Sequence, residues 1–301
     1  MRERERERNF YKTIKLIDEK YFFSILKKLK FIFTRIKIYS YAAFERLLLI
    51  KAIYCKEKIN FKFLYSDQLK NERAKEMGLL LKKAILKSNK KDIFKILEIG
   101  SYLGESTELF GKILEKKKRD FLIISVDPYQ GYSTTKDQEI NSVANRMSKK
   151  INKIYFYFLH NISLQNWKNN FIHIRKNSKE ALLLLDKLNL SFDFIYIDGS
   201  HYYKDIKNDF ILSKKILKKN SNYQGILCGD DYEFESKNYK KLNLTKKEFI
   251  KFLNKNIEVD YVSLRHSNGE SISFHPGITK FFSEVKDTIQ RKNSGFWFLK
   301  N

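Results

Sequence analysis

The chain has 301 residues, with 60 Lys and Arg against 35 Asp and Glu, a formal net charge of +25 and 43% hydrophobic residues. This length accommodates one α/β domain of ~200 residues plus an appendage, while Cys55 and Cys228 are too few and too separated for a zinc site or a disulfide framework. No run of about 18 uncharged apolar residues occurs, so the sequence excludes a membrane-spanning helix and the expected location is a reducing cytoplasm.

Residues 1–90 hold 24 Lys and Arg against 10 Asp and Glu, and the other 211 residues hold 36 against 25. Met1 to Arg8 alternates Arg and Glu without an apolar centre, the pattern of a solvated end and not of a signal peptide. Phe22, Ile25, Leu29, Ile32 and Ile36 then recur at helical spacing, with Lys27, Lys28, Lys30 and Lys37 between them. This predicts a basic amphipathic helix, with helix-like segments continuing through Leu86. Three readings stand for this basic helical N-terminal extension, residues 1–90. The first is an extension that packs on the following domain, covers the cofactor or contacts a second copy in a homo-oligomer; the next is peripheral contact of residues 21–37 with an anionic membrane. Nucleic-acid binding ranks last. Lys, Asn, Ile, Phe and Tyr are abundant along the whole chain, so much of the basicity needs no acidic partner.

From residue 91 to 301 the pattern changes to short apolar runs separated by helical stretches. Ile93 to Ile99 leads into Gly100-Ser101-Tyr102-Leu103-Gly104-Glu105-Ser106-Thr107, which reads as a strand, a tight turn and a helix whose first N–H groups face a ligand. Gly100 and Gly104 would let the backbone approach that ligand. Glu98 would accept hydrogen bonds from a cationic or hydroxyl-bearing ligand and repel a pyrophosphate. Phe121 to Val126 is a second strand ending in Asp127-Pro128, where a ribose diol is held in nucleoside-binding sheets. Phe171 to Arg175 is a third, closed by Asn177-Ser178. Phe192 to Ile197 ends in Asp198-Gly199-Ser200-His201, and Gly225 to Cys228 ends in Gly229-Asp230-Asp231. Five such strands imply a Rossmann-like doubly wound, mostly parallel sheet with helices on both faces and a ligand at the carboxyl ends of the strands.

Asp198, Asp230 and Asp231 would project from neighbouring strand tips. Three converging carboxylates repel one another unless protons or a cation intervene, and an oxygen-only set suits Mg2+ or another divalent cation. Adjacent residues on a strand face opposite ways, so both Asp230 and Asp231 ligate only if the chain turns there, as Gly229 permits; otherwise one of them caps the next segment. His201, opening a predicted helix to Leu212, is an imidazole placed to accept a hydroxyl proton near neutral pH, or else a helix-start residue bonded to a carboxylate. Residues 232–274 are too long for a simple connection and form an insertion, with a helix at Leu244–Asn254, a strand at Val259–Leu264 and a turn at Ser267-Asn268-Gly269. It leaves the tip bearing Asp230 and Asp231, and is expected to wall an acceptor site. A helix is expected from Ile278 to Gln290.

These motifs resemble class I S-adenosylmethionine-dependent methyltransferases, in the branch whose fourth strand ends in Asp-Gly-Ser-His and whose fifth ends in Asp-Asp. Magnesium-dependent sugar O-methyltransferases of the macrolide glycoside type belong to that branch. The resemblance covers residues 90–231, resumes at His275-Pro276-Gly277-Ile278 and ends with Gly295-Phe296-Trp297-Phe298-Leu299-Lys300, similar to the family's last strand. It implies a catalytic domain at 91–301, S-adenosylmethionine as cofactor and Mg2+ on Asp198, Asp230 and Asp231. It also implies His201 as general base beside Asp198, and a small-molecule or glycan acceptor. Glu98, Gly100, Ser101, Tyr102, Gly104, Ser106 and Asp127 would line the cofactor pocket, with Ser178 near the adenine. Two other readings compete. A nucleotide-dependent oxidoreductase or epimerase is opposed by Glu98 and by the lack of a Gly-x-Gly-x-x-Gly fingerprint. A nucleic-acid methyltransferase or RNA-binding protein is opposed by Asp-Gly-Ser-His standing where base N-methylating enzymes carry Asn/Asp-Pro-Pro-Tyr.

Overall fold

The computed structural model describes residues 39–59, 71–130, 134, 135, 137, 151–265 and 269–300. The predicted amphipathic helix at residues 21–37, Met1–Arg8 and two of the three residues of the predicted turn, Ser267 and Asn268, lie outside them. The chain divides into two compact units, Met1–Glu57 and Lys58–Asn301. Helix α1 (Tyr39–Tyr54) belongs to the first. The second begins upstream of residue 90, so that helix α2 (Asn71–Lys87) is part of the same unit as the sheet. No helix among the described residues is long and apolar enough to cross a membrane.

Seven strands form the main sheet: β1 (Phe94–Ile99), β2 (Phe121–Val126), β3 (Phe171–Ile174), β4 (Phe194–Ile197), β5 (Ile226–Gly229), β8 (Ile289–Arg291) and β9 (Trp297–Leu299), in the order β3-β2-β1-β4-β5-β9-β8. The first five are parallel, and β9 runs antiparallel to both β5 and β8. This is the expected mostly parallel, doubly wound sheet. Its central strands are apolar throughout because both faces are covered. On one face α5 (Ser178–Lys187), α6 (Tyr203–Ile216) and α8 (Pro276–Val285) contribute Leu182, Phe210, Phe281 and Phe282 to a core that closes over Trp297. On the other, Phe110 of α3 (Glu105–Lys116) meets Phe194 and Tyr196 edge-on, and each such burial contributes roughly 1.5–3 kcal/mol.

The strand order reverses between β1 and β4, and an open α/β sheet places its crevice outside the carboxyl ends at that point. Here those two tips touch. Gly100 has φ +84, and a Cβ on it would lie 1.8 Å from the Asp198 carbonyl oxygen. The glycine is therefore required for packing one strand end on the other. Gly104, φ +87, likewise leaves room for the Phe158 ring of α4 (Ile151–Ser163), 3.1 Å from where its Cβ would stand.

Two elements differ from the sequence reading. The predicted helix Ile278–Gln290 stops at Val285; a 3-10 turn at Lys286–Thr288 comes next, and Ile289–Arg291 is the edge strand β8. The insertion carries a 3-10 segment (Ser236–Leu242), α7 (Lys246–Lys255) and a separate two-stranded sheet of β6 (Val262–Arg265) and β7 (Ser271–Phe274). Its own small core of Phe234, Leu242, Phe249, Leu253 and Phe274, together with a Thr245/Glu248 capping box on α7, holds it as a folded lobe.

Candidate active site

Two groups of polar residues stand side by side at the carboxyl ends of the strands. The first joins the β1 loop to the β2 tip. One Asp127 carboxylate oxygen accepts the N–H groups of Ser101 (3.0 Å) and Tyr102 (3.3 Å), and the other accepts from Tyr129 N–H (2.8 Å). Tyr102 and Tyr129 both have φ 47, a rare conformation for a bulky residue that concentrates at functional loops, and the Tyr129 hydroxyl donates to the Tyr102 carbonyl at 2.8 Å. The Ser101 hydroxyl pairs with Ser125, which in turn meets His173 Nδ1 at 3.1 Å. Gly100, Ser101, Tyr102 and Asp127 are thus brought together as expected.

Glu98, Ser106 and Ser178 make contacts elsewhere in the fold. Glu98 is 0% exposed, and its two oxygens accept from the hydroxyls of Ser106 and Thr107 on the first turn of α3. It braces strand to helix inside the fold, its side chain on the α3 side of β1. Ser106 is spent on it. Ser178 opens α5 after the Asn177 N-cap and hydrogen-bonds Asp209 of α6, a buried carboxyl pushed up to about 7 by burial.

The position of Glu98 has a measurable consequence. Burial pushes its carboxyl from 4.5 up to about 7, against the pull of the Ser106 and Thr107 hydroxyls. Between those values the folded state holds a proton that the unfolded chain has released, so stability declines as pH rises from 4.5 to 7. The decline attributable to this group is about 3 kcal/mol. Glu98→Gln should remove that component, read as the difference between variant and wild type in urea-unfolding free energy at pH 4.5 and pH 8. Parallel pH profiles would mean that Glu98 ionises without cost.

The second group lies at the ends of β4 and β5 and in the loops that leave them. Asp198, Asp230 and Asp231 each offer one oxygen, all within 4.8 Å of one another. The turn that lets neighbours converge is at Asp231 itself, φ 66, whose N–H donates to Asp230 Oδ1 at 2.8 Å. Gly229 remains within β5. Burial pushes Asp198 up to about 8, helped by the nearby Asp231 charge. Asp230 is also raised, by burial and by the Asp231 and Asp198 charges, against the pull of Arg73.

Arg73, on α2, is a residue that the sequence reading missed. Its guanidinium donates to Asp230 Oδ2 (2.6 Å), Asp231 Oδ1 (3.1 Å) and Glu233 Oε1 (3.2 Å), while Nε donates to the Ser294 carbonyl at 2.9 Å. It neutralises part of the acid group from 157 residues away in the chain. No local motif marks it.

His201 precedes α6, and α8 begins against its backbone; a Cβ on Gly277 would stand 2.4 Å from the His201 carbonyl oxygen. The His201 ring lies between two carboxylates: Nε2 is 3.0 Å from Asp231 Oδ2 and Nδ1 is 2.7 Å from Asp260 Oδ1. Although burial opposes it, Asp260 and Asp231 raise its proton affinity well above the usual histidine range. Asp231 and Asp260 are held low in spite of their own burial, chiefly by His201. The ring therefore has two carboxylate partners, and Asp260, which arrives from the insertion, is the one that the sequence reading did not foresee. Asp260 is fixed in turn by Asp137, which accepts its N–H at 3.1 Å and also binds the Tyr202 hydroxyl. His275, its ring centroid 3.9 Å from that of His201, is pushed down to about 4 by burial and by the His201 charge.

Residues 97–232 match a family described as a methyltransferase domain. No curated protein matches the chain. Among solved structures, the chain is similar to the O-methyltransferase NovP (13% identity, 68% of this chain and 79% of that one, TM-score 0.40). It is also similar to CalS11, a TDP-rhamnose 3'-O-methyltransferase of calicheamicin biosynthesis (13% identity, 76% and 91%, TM-score 0.33). A third is the MycE methyltransferase of the mycinamycin pathway, solved with Mg and SAH (14% identity, 70% and 46%, TM-score 0.33).

Proposed function

We propose that this protein, whose residues 97–232 match a family described as a methyltransferase domain, methylates a hydroxyl group of a saccharide or glycosylated small molecule. S-adenosylmethionine is the donor, His201 the base, and a divalent ion, Mg2+ by its donor set, assists. The observation that carries this reading is the placement, on one sheet edge, of the Asp127-bound β1 loop next to the acid and histidine group at the tips of β4 and β5.

The cofactor's nucleoside belongs over β1 and β2. A carboxylate has about four acceptor positions; three on Asp127 are taken by backbone N–H groups, which leaves one for a ribose hydroxyl. Asp198, Asp230 and Asp231 fit a hard cation because their oxygens converge and the carboxylates there outnumber the one guanidinium of Arg73. Asp198, Asp230 and Asp231 would hold such an ion, which would supply positive charge to acidify an acceptor hydroxyl and to offset the pull of Asp231 on His201. His201 Nε2 then takes the hydroxyl proton, with Asp260 steadying the Nδ1–H and the resulting imidazolium. The oxygen forms its bond to the methyl carbon as the carbon–sulfur bond breaks, and S-adenosylhomocysteine leaves. The insertion, which delivers Asp260, stands where it selects the acceptor.

Calorimetric titration with S-adenosylhomocysteine and with NADH, then a transfer screen over nucleotide sugars and glycolipid precursors, tests the reading. Binding of the first compound alone is expected, with transfer to a saccharide that stops on chelation. Binding of NADH alone would replace it with the oxidoreductase reading, and transfer undiminished by chelator would remove the ion.

A further inference from the structure

We infer that His201, His275 and Asp231, with Glu233 beside them, form a second metal site, selective for a borderline transition ion such as Zn2+ or Co2+, which shares Asp231 with the oxygen-only group. His201, His275 and Asp231 each present one donor atom, and the three lie within 4.8 Å of one another.

The hydrogen bonds behind these rings give the reason. His275 Nδ1 faces the backbone carbonyl of Asp260, which can only accept, so that nitrogen carries the hydrogen and Nε2 holds a bare lone pair. Glu233 Oε1, which also accepts from Arg73, lies 4.0 Å from this lone pair. The other oxygen, Glu233 Oε2, is buried without a hydrogen-bond partner. A bare imidazole nitrogen next to an unpartnered carboxyl oxygen favours a cation at this place. His201 is anchored in the same manner, with Nδ1 at 2.7 Å from Asp260 Oδ1 and Nε2 turned to Asp231. A single residue, Asp260, therefore orients both imidazoles with their Nε2 atoms converging, the arrangement by which outer carboxylate and carbonyl groups fix histidine ligands of a metal. Two imidazoles and one or two carboxylates suit Zn2+, Co2+ or Ni2+, whereas Asp198, Asp230 and Asp231 offer only hard oxygens.

Binding there releases the His201 Nε2 proton to solvent and commits both His201 and Asp231. If His201 is the base proposed above, Zn2+ inhibits methyl transfer; metal binding itself does not depend on that reading.

The full chain, stripped with chelator, is titrated with Co2+ and monitored by visible absorption. One Co2+ per chain with ligand-field bands, displaced by Zn2+, is the expected result. His275→Ala and Asp260→Asn should each weaken binding about 10–100-fold, and Asp198→Asn should leave the bands intact. X-ray absorption of the wild-type Zn2+ complex should show two imidazole ligands, a measurement that requires no variant to fold. Oxygen-only coordination, or His275→Ala binding Co2+ as tightly as wild type, would overturn the site. Co2+ bands without S-adenosylhomocysteine binding would uphold the site and reject the methyl-transfer reading, and the reverse pair of results would do the opposite.

Discussion

Arg73→Ala is expected to destabilise the protein by about 3–5 kcal/mol, the cost of leaving a buried charge uncompensated. The Arg73 side chain is 8% exposed, and its guanidinium meets Asp230, Asp231 and Glu233. Removing it leaves two buried aspartates next to Asp198, with the ring of His201 as the nearest relief. Urea unfolding in the presence of chelator measures the loss. Arg73→Lys should recover only part, since an ammonium cannot span three carboxylates as the planar guanidinium does. The variant should also gain more from added Mg2+ than wild type, because the ion no longer competes with a guanidinium for Asp230 and Asp231 and stabilises whichever state binds it. An unchanged unfolding midpoint would show that the ion pairs do not hold α2 to the tip of β5.

His201→Ala is expected to lower turnover by about 10²–10⁴-fold, the contribution of a positioned base, while affinity for S-adenosylhomocysteine stays close to wild type. The separation is geometric. His201 touches Asp231 and Asp260 at the β4–β5 side of the cleft, whereas the expected cofactor contacts gather around Asp127 at the β1–β2 side. Asp260→Asn should give a smaller loss: the amide oxygen still accepts the Nδ1–H, but the charge that stabilises the imidazolium is gone. Turnover of His201→Ala equal to wild type would transfer the role of base elsewhere. Equal loss of cofactor affinity and turnover would assign the residue to binding.

The parallel strands and their tips were legible because a strand buried on both faces has to be apolar along its length, and the polar residue that ends the run is the one at the crevice. Phe121–Val126 agrees to the residue, and the other four parallel strands differ by one or two residues at their ends. Ile289 misled in the opposite way. It falls at a spacing that continues the helical pattern from Ile278, yet the 3-10 turn at Lys286–Thr288 redirects the chain so that it fills an edge of the sheet. Periodicity cannot distinguish these outcomes when the apolar run is short. Glu98 shows the limit for single residues. Its place at the end of β1 is evident from the sequence, but whether its side chain meets a ligand or the Ser106 and Thr107 hydroxyls depends on the packing of α3.

The sequence by itself determined the sheet, the crevice at its carboxyl edge and the gathering of Asp198, Asp230, Asp231 and His201 there, since all of these arise from local alternation of apolar strands and polar tips. Only the tertiary structure decided the electrostatics of that place. Arg73 arrives from α2, Asp260 and Glu233 from the insertion and His275 from the start of α8. Each meets its partner through the packing of the folded chain and not through any spacing along it. Charges a few ångströms apart in a buried cleft set one another's protonation, and such distances exist only once the chain has folded.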